Sequence, residues 1–182
     1  MTKKRLFIAV DLSDAVKKNI YRVCNDIKGI RWTKRGQLHL TLRFIGDTTE
    51  DKVTQLSKAM DSLEFSAFDL TVSGTGFFRP NIFFLSLDEV EALSVLKKQI
   101  DDLLNDVLDM EYEKRDFVPH ITLSRLKKRL ASAEKAALQT LFAHASRAKR
   151  SKIKSFIPVV EALGQHLKFP AQLGERLGLQ LS

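Results

Sequence analysis

Four histidines occur in the 182 residues of this chain, and two of them stand in matched tetrapeptides, His39-Leu40-Thr41-Leu42 and His120-Ile121-Thr122-Leu123. Apolar and polar residues alternate in both, which argues for a β-strand in each. Side chains two apart on a strand point the same way, so His39 shares a face with Thr41, and His120 with Thr122. Each strand then presents an imidazole and a hydroxyl about 7 Å apart, the rise of two residues. One such pair is an ordinary polar strand face. Its repetition, once in each half of the chain, points to one site built from two halves.

Histidine gives or takes protons near neutrality, with an unperturbed pKa of about 6.5. Two histidines on opposite walls of a groove can act as base and acid in one reaction, each worth about 10²–10⁴-fold. Two threonine hydroxyls beside them can donate to one anionic group. That set suits in-line displacement at phosphorus. One histidine takes a proton from water, and the other protonates the leaving oxygen. The threonines hold the non-bridging oxygens, where charge develops. A strained cyclic phosphodiester is activated enough to react without a metal. Neither histidine has a cysteine, carboxylate or second histidine at ligand spacing, so neither a metal nor another cofactor is expected.

Nearby cations fit an anionic substrate. Arg43 continues the series 39, 41, 43 and is expected on the polar face. Arg125 has the opposite parity and needs a strand end or bulge to turn inward. Either can grip a phosphate through a forked, charge-assisted contact, or be an exposed strand-end charge. Phe44, Trp32 and Phe78 offer faces for base stacking, or for core packing.

The elements around these residues follow from pattern. Leu6 to Val10 reads as a buried strand. Ser13 caps a helix carrying Val16, Ile20, Cys24 and Ile27, closed by Gly29. Ile30 to Trp32 reads as a short strand before the first His-Thr strand. Thr48 or Thr49 caps a helix with Val53, Leu56, Met60 and Leu63 inward. Phe68, Leu70 and Val72 alternate as a half-buried strand that Gly74-Thr75-Gly76 breaks, and Ile82 to Leu87 forms another. A helix runs from about Glu89 to Leu108. Phe117 to Leu126 is the second His-Thr strand, Leu130 to Ala145 a helix, and Ile153 to Val160 a last strand. No linker divides the chain, so residues 1–182 are expected to form a single domain with two pseudo-equivalent lobes facing across a cleft.

Composition bounds the partners. Thirty basic against 22 acidic residues give a formal charge of +8, and the pI is near 9.6. Such a balance favours an anionic partner such as nucleic acid, or only a solvated basic surface. Cys24 is the one cysteine, so no internal disulfide can form, and a cytoplasmic location is expected. The apolar run after Arg5 is too short for a signal peptide, and nothing approaches the ~20 apolar residues of a membrane span. With no heptad or exposed apolar stripe, a monomer is the expectation.

Three stretches together resemble the two-histidine phosphoesterases, in particular the bacterial and archaeal RNA 2',3'-cyclic phosphodiesterases long called 2'-5' RNA ligases. They are Leu6-Phe7-Ile8-Ala9-Val10-Asp11; Trp32 with Leu38 through Gly46; and Pro119-His120-Ile121-Thr122-Leu123-Ser124-Arg125. The resemblance implies an α+β, bilobal fold, with two antiparallel sheets flanking a central active-site groove and helices outside. It implies metal-independent hydrolysis of RNA or nucleotide 2',3'-cyclic phosphate ends to 2'-phosphomonoesters. It implies His39 as proton donor to the leaving 3'-oxygen and His120 as proton acceptor from water. Thr41 and Thr122 would bind phosphate, Arg125 would match the arginine after the second motif, and Arg43 a basic position after the first. The residues alone are symmetric as to which histidine is the acid. Ile82-Phe83-Phe84-Leu85 stands where the family usually has a tryptophan-containing strand. Glu161 through His166 departs from the family's usual ending, and His144 and His166 match no motif position. Two readings compete: a non-catalytic RNA-binding module, and a phosphodiesterase on a different cyclic phosphate or a 2'-5' linkage. Ligation of RNA would be the reverse reaction.

Overall fold

The computed structural model describes residues 4–63, 65, 68–78, 81–88, 91–147, 157–162 and 165–167. The elements run β1 (Lys4–Asp11), α1 (Asp14–Asp26), a 3-10 turn (Arg35–Gln37), β2 (His39–Thr48), α2 (Glu50–Met60), β3 (Val72–Phe78), β4 (Ile82–Leu87), α3 (Glu91–Leu108), β5 (His120–Arg125), α4 (Ser132–Arg147), β6 (Ile157–Ala162) and β7 (Gln165–Leu167). Helix starts follow the sequence: Ser13 Oγ accepts from the Val16 N–H at 3.4 Å, and Thr49 is the N-cap of α2. Gly29, just past α1, has φ +80°, the left-handed conformation that glycine adopts without strain.

The strands lie in the order β3-β4-β5-β2-β1-β6-β7, each antiparallel to its neighbours. The two antiparallel halves meet between β2 and β5 through a single pair, Leu40 opposite Ile121, and so form one seven-stranded sheet. Leu40, Leu42, Ile121 and Leu123 are buried with Ile20 of α1, Leu56 of α2, Leu96 and Ile100 of α3, and Leu138 of α4 in one core. The helices therefore cover the leucine face of the seam and leave the histidine face open. Each such buried aliphatic contributes about 1.5–3 kcal/mol.

Several expectations change. Phe68 and Leu70 precede β3 rather than lying in it, and Phe117 to Pro119 precede β5, which starts at His120. Ile30 to Trp32 does not make a strand. It supplies one bridge, Trp32 to Ser124, reinforced by Thr33 N–H donating to the Leu123 carbonyl (2.8 Å) and Ser124 Oγ to the Arg31 carbonyl (2.9 Å). Gly74-Thr75-Gly76 does not break a strand either, but lies inside β3. A Cβ on Gly76 would sit 2.5 Å from Cζ of Phe84 on the neighbouring strand. Glycine is there so that the ring can lie over the backbone. Phe156, Ile153 and the rest of the expected last strand before Ile157 lie outside the described residues.

β2 and β5 share a further feature. Both read half-buried, buried, half-buried, buried, buried, exposed from the histidine onward. The register of β1 against β2 slips between Ile8–Arg43 and Ala9–Thr41, and that of β4 against β5 slips between Phe83–Ser124 and Phe84–Thr122. Leu42 and Leu123 are the extra residues of two matching β-bulges. A bulge breaks the two-residue alternation, so the next residues change face.

Candidate active site

The pairing of Leu40 with Ile121 organises the site. One step along antiparallel strands in either direction sets His39 beside Thr122, and Thr41 beside His120. All four side chains are half-buried, on the face opposite the leucines. The histidines are diagonal neighbours, a separation of about 7–8 Å in a sheet, which is room for a phosphate between them. His39 and His120 also act on each other electrostatically.

Their surroundings differ. The His39 ring stacks on Phe7 (centroids 4.9 Å apart, 28° between planes). Burial pushes its pKa down from 6.5 to about 4. The Asp11 carboxylate and the Gln37 backbone oppose that shift, while Lys17 and His120 add to it. Asp11 lies opposite His39 in the β1–β2 register and pairs with the buried Lys17 at 2.5 Å. His120 lies edge-on to Phe78 (4.7 Å) and Phe84 (5.4 Å). Burial lowers its pKa too, the Val118 backbone opposes this, and the Arg125 cation adds to it. Nδ1 of His120 is 2.8 Å from the Val118 carbonyl. A carbonyl only accepts, so Nδ1 carries the hydrogen and the neutral ring keeps its lone pair on Nε2.

The bulges decide where the arginines go. Arg125, after the Leu123 bulge, is exposed and close enough to His120 to perturb it. Arg43 is not on the face of His39 and Thr41. It follows the Leu42 bulge directly, is 6% exposed, and points into an ionic cluster at the edge of the cavity. Its Nη2 donates to the Glu111 carbonyl at 2.6 Å, and Nη1 is 3.2 Å from Glu113 and 3.7 Å from Asp101. Strand parity fails here because Leu42 is an inserted residue. Phe44, one further on, is 58% exposed and 6.0 Å from Phe7, on the histidine face. Thr41, Phe44, Phe78, Phe117, His120 and the wall formed by Arg43 and Glu113 line one open cavity of ≈160 Å³. Trp32 is not at the site: it packs between Phe83 and Phe142, its Nε1 donating to the Ile27 carbonyl. His144 is exposed on α4, and the side chain of His166 lies outside the described residues.

Sequence reasoning missed Asp11, Phe7, Phe84 and the Val118 carbonyl. Asp11 ends an apolar run, but only the pairing of β1 with β2 shows that it faces His39. Among the described residues no group of three or more His, Cys, Asp or Glu side chains could hold a metal ion, and no helix is long and apolar enough to cross a membrane. Burial pushes the Cys24 thiol up to about 12, so it is not a nucleophile at neutral pH.

Residues 10–84 match the family described as LigT like Phosphoesterase. The chain is 30% identical over 133 residues to a Thermotoga maritima protein named RNA 2',3'-cyclic phosphodiesterase, covering 68% of this chain and 70% of that one. A protein of the same name from Methanothermobacter thermautotrophicus is 30% identical over 142 residues (69% and 72%). The fold is similar to the crystal structure of E. coli LigT in apo form, with a TM-score of 0.67 and 21% identity over 89% of this chain and 88% of that one.

Proposed function

The chain belongs to the LigT-like phosphoesterases, and on that premise we propose that it hydrolyses 2',3'-cyclic phosphate ends of RNA or nucleotides to 2'-phosphomonoesters by paired histidine acid–base catalysis. It is a phosphodiester hydrolase, like the relatives named RNA 2',3'-cyclic phosphodiesterase. The observation that carries this reading is the diagonal of His39 and His120 across the Leu40–Ile121 pair, with a threonine beside each.

The surroundings favour one direction of proton flow. His120, beside the Arg125 cation and with Nδ1–H bound to Val118, is the neutral base. Its Nε2 takes a proton from water as the water oxygen attacks phosphorus. The bond from phosphorus to the 3'-oxygen breaks on the far side, and His39 protonates that oxygen. Burial keeps His39 neutral in the free protein at pH 7. The bound phosphodiester anion and Asp11 together favour its protonated form, which makes it the acid. Thr41 and Thr122 donate to the non-bridging oxygens, Arg125 offsets the charge that develops there, and Phe44 stacks on the base. The product leaves His120 protonated and His39 neutral, and proton exchange with solvent restores the cycle. The matching bulges of β2 and β5 support reading the chain as one domain of two pseudo-equivalent lobes. A monomer in the cytoplasm, meeting RNA ends there, is the setting we infer.

The test is an oligoribonucleotide ending in a 2',3'-cyclic phosphate, incubated with the protein and a chelator. We expect a 2'-phosphate product that His39→Ala and His120→Ala each abolish while remaining folded. A folded wild-type protein that gives no product, or near-normal turnover in either variant, would overturn the reading.

A further inference from the structure

We propose that Arg43 is a positioning residue for His120: it ties the segment between α3 and β5, which forms one wall of the cavity and ends at His120, to the strand that carries Thr41. This rests on the reading above for its functional consequence, though not for its structural content.

The segment from Asp109 to Pro119 has no regular secondary structure, and residues 111–116 are exposed. Such a stretch is mobile unless something holds it. Its last part holds His120 directly, because the Val118 carbonyl takes the Nδ1 hydrogen. Its middle is held by Arg43, through the Glu111 carbonyl at 2.6 Å and the Glu113 carboxylate at 3.2 Å. Arg43 is in turn anchored on α3. Asp101 lies 3.7 Å from it, and the buried Lys97 bridges Asp101 (2.5 Å) and Glu113 (3.5 Å). Lys97 also sits 5.8 Å from the centroid of the Phe117 ring. Two cations and two carboxylates thus form a balanced cluster in which Arg43 is the member contributed by β2. Nη2 of Arg43 donates to the Glu111 carbonyl while the charge of the planar guanidinium lies against the two carboxylates, a reach that a point-like ammonium lacks. Because the Leu42 bulge turns Arg43 away from the face of Thr41, its cation serves the wall of the cavity.

A direct phosphate contact by Arg43 makes different predictions, so the two roles separate. The experiment compares Arg43→Met, Glu113→Gln and the double variant in steady-state turnover of a 2',3'-cyclic phosphate end. It also follows the His120 ring by NMR across pH in the free proteins. Arg43→Met is expected to lower kcat about 10- to 100-fold with KM little changed, the loss that follows misplacement of a catalytic group. Glu113→Gln should lower kcat less, and the double variant should be no worse than Arg43→Met alone, since both remove one coupling. The His120 titration should move in both single variants. Losses that multiply, a rise in KM with kcat kept, or an unmoved His120 titration would overturn the proposal. If Arg43→Met does not fold, Glu113→Gln decides alone through kcat and the His120 titration. If the wild-type protein turns over no cyclic phosphate, the functional reading fails by itself, and the His120 titration still decides the role of Arg43.

Discussion

Phe44 holds on β2 the place that Arg125 holds on β5. Each is the second residue past a bulged leucine, exposed, and returned by the bulge to the histidine face. The two halves of the site share backbone geometry and differ in chemistry. One lip is aromatic, with Phe44 6.0 Å from Phe7, and the other is cationic. A nucleotide has the same two parts, a flat base and an anionic phosphate.

Phe44→Ala is therefore expected to raise KM for a cyclic nucleotide by roughly 5- to 100-fold, the range that loss of one base stack covers. It should leave a baseless ribose 2',3'-cyclic phosphate unaffected. Arg125→Gln should weaken both substrates and flatten the salt dependence if Arg125 holds the phosphate as proposed. Steady-state kinetics on the two substrates at two salt concentrations checks the division. Equal effects of Phe44→Ala on both would remove the base from the Phe44 lip.

The paired His-Thr strands were legible in the sequence because strand periodicity is local and His39 and His120 each recur with their threonines. The caps at Ser13 and Thr49 were legible for the same reason. The faces of Arg43 and Arg125 were not. A bulge is a property of two strands in register, and only the slip against Ile8 and Phe83 shows that Leu42 and Leu123 are extra. Gly76 misled in the same way: a glycine cluster reads as a break until the neighbouring Phe84 ring is seen to need the space. The symmetry between the histidines also could not be broken from the sequence, because Asp11 and Arg125 act through space.

Proton uptake tests the direction assigned to the histidines. His39 has its pKa lowered to about 4 and His120 is lowered as well, so both are neutral in the free protein at pH 7. A phosphate anion placed between them would stabilise one imidazolium, and the proposed direction puts it on His39, beside Asp11. Binding of a non-hydrolysable phosphodiester at pH 7 should take up close to one proton. Calorimetry in buffers of different ionisation enthalpy measures that number directly. The uptake should vanish in His39→Gln and persist in His120→Gln; the opposite pattern would exchange the acid and base roles.

The same burial makes stability depend on pH. A histidine whose pKa is about 4 when folded and 6.5 when unfolded binds fewer protons in the native state between those values. Stability is then full above pH 6.5 and falls as pH drops toward 4, with a slope approaching about 1.4 kcal/mol per pH unit from His39. Urea unfolding at about pH 7.5, above that window, and at about pH 5.5 and 4.5, within it, should show the loss. His39→Phe should reduce the slope across the same range, and an unchanged slope would mean that His39 is not held neutral by burial.

Gly76 links the far edge of the sheet to His120, the base proposed above. Its Cα backs onto the Phe84 ring, Phe84 stacks on Phe78 (4.1 Å, 23°), and both rings lie against His120. Gly76→Ala forces a Cβ to within 2.5 Å of Phe84 Cζ, so the ring must move. Overpacking of this kind costs about 1–3 kcal/mol. The displaced ring should also disturb the setting of His120 and lower kcat, although Gly76 itself touches no substrate. Phe84→Leu, which removes the clashing ring atoms, should restore stability in the Gly76→Ala background while destabilising the wild-type protein. Thermal unfolding of the four proteins in that cycle, with kcat measured on each, gives both answers. Additive losses in stability would show that Gly76 and Phe84 are not in contact as described, and a Gly76→Ala protein of full activity would detach this edge of the sheet from the site.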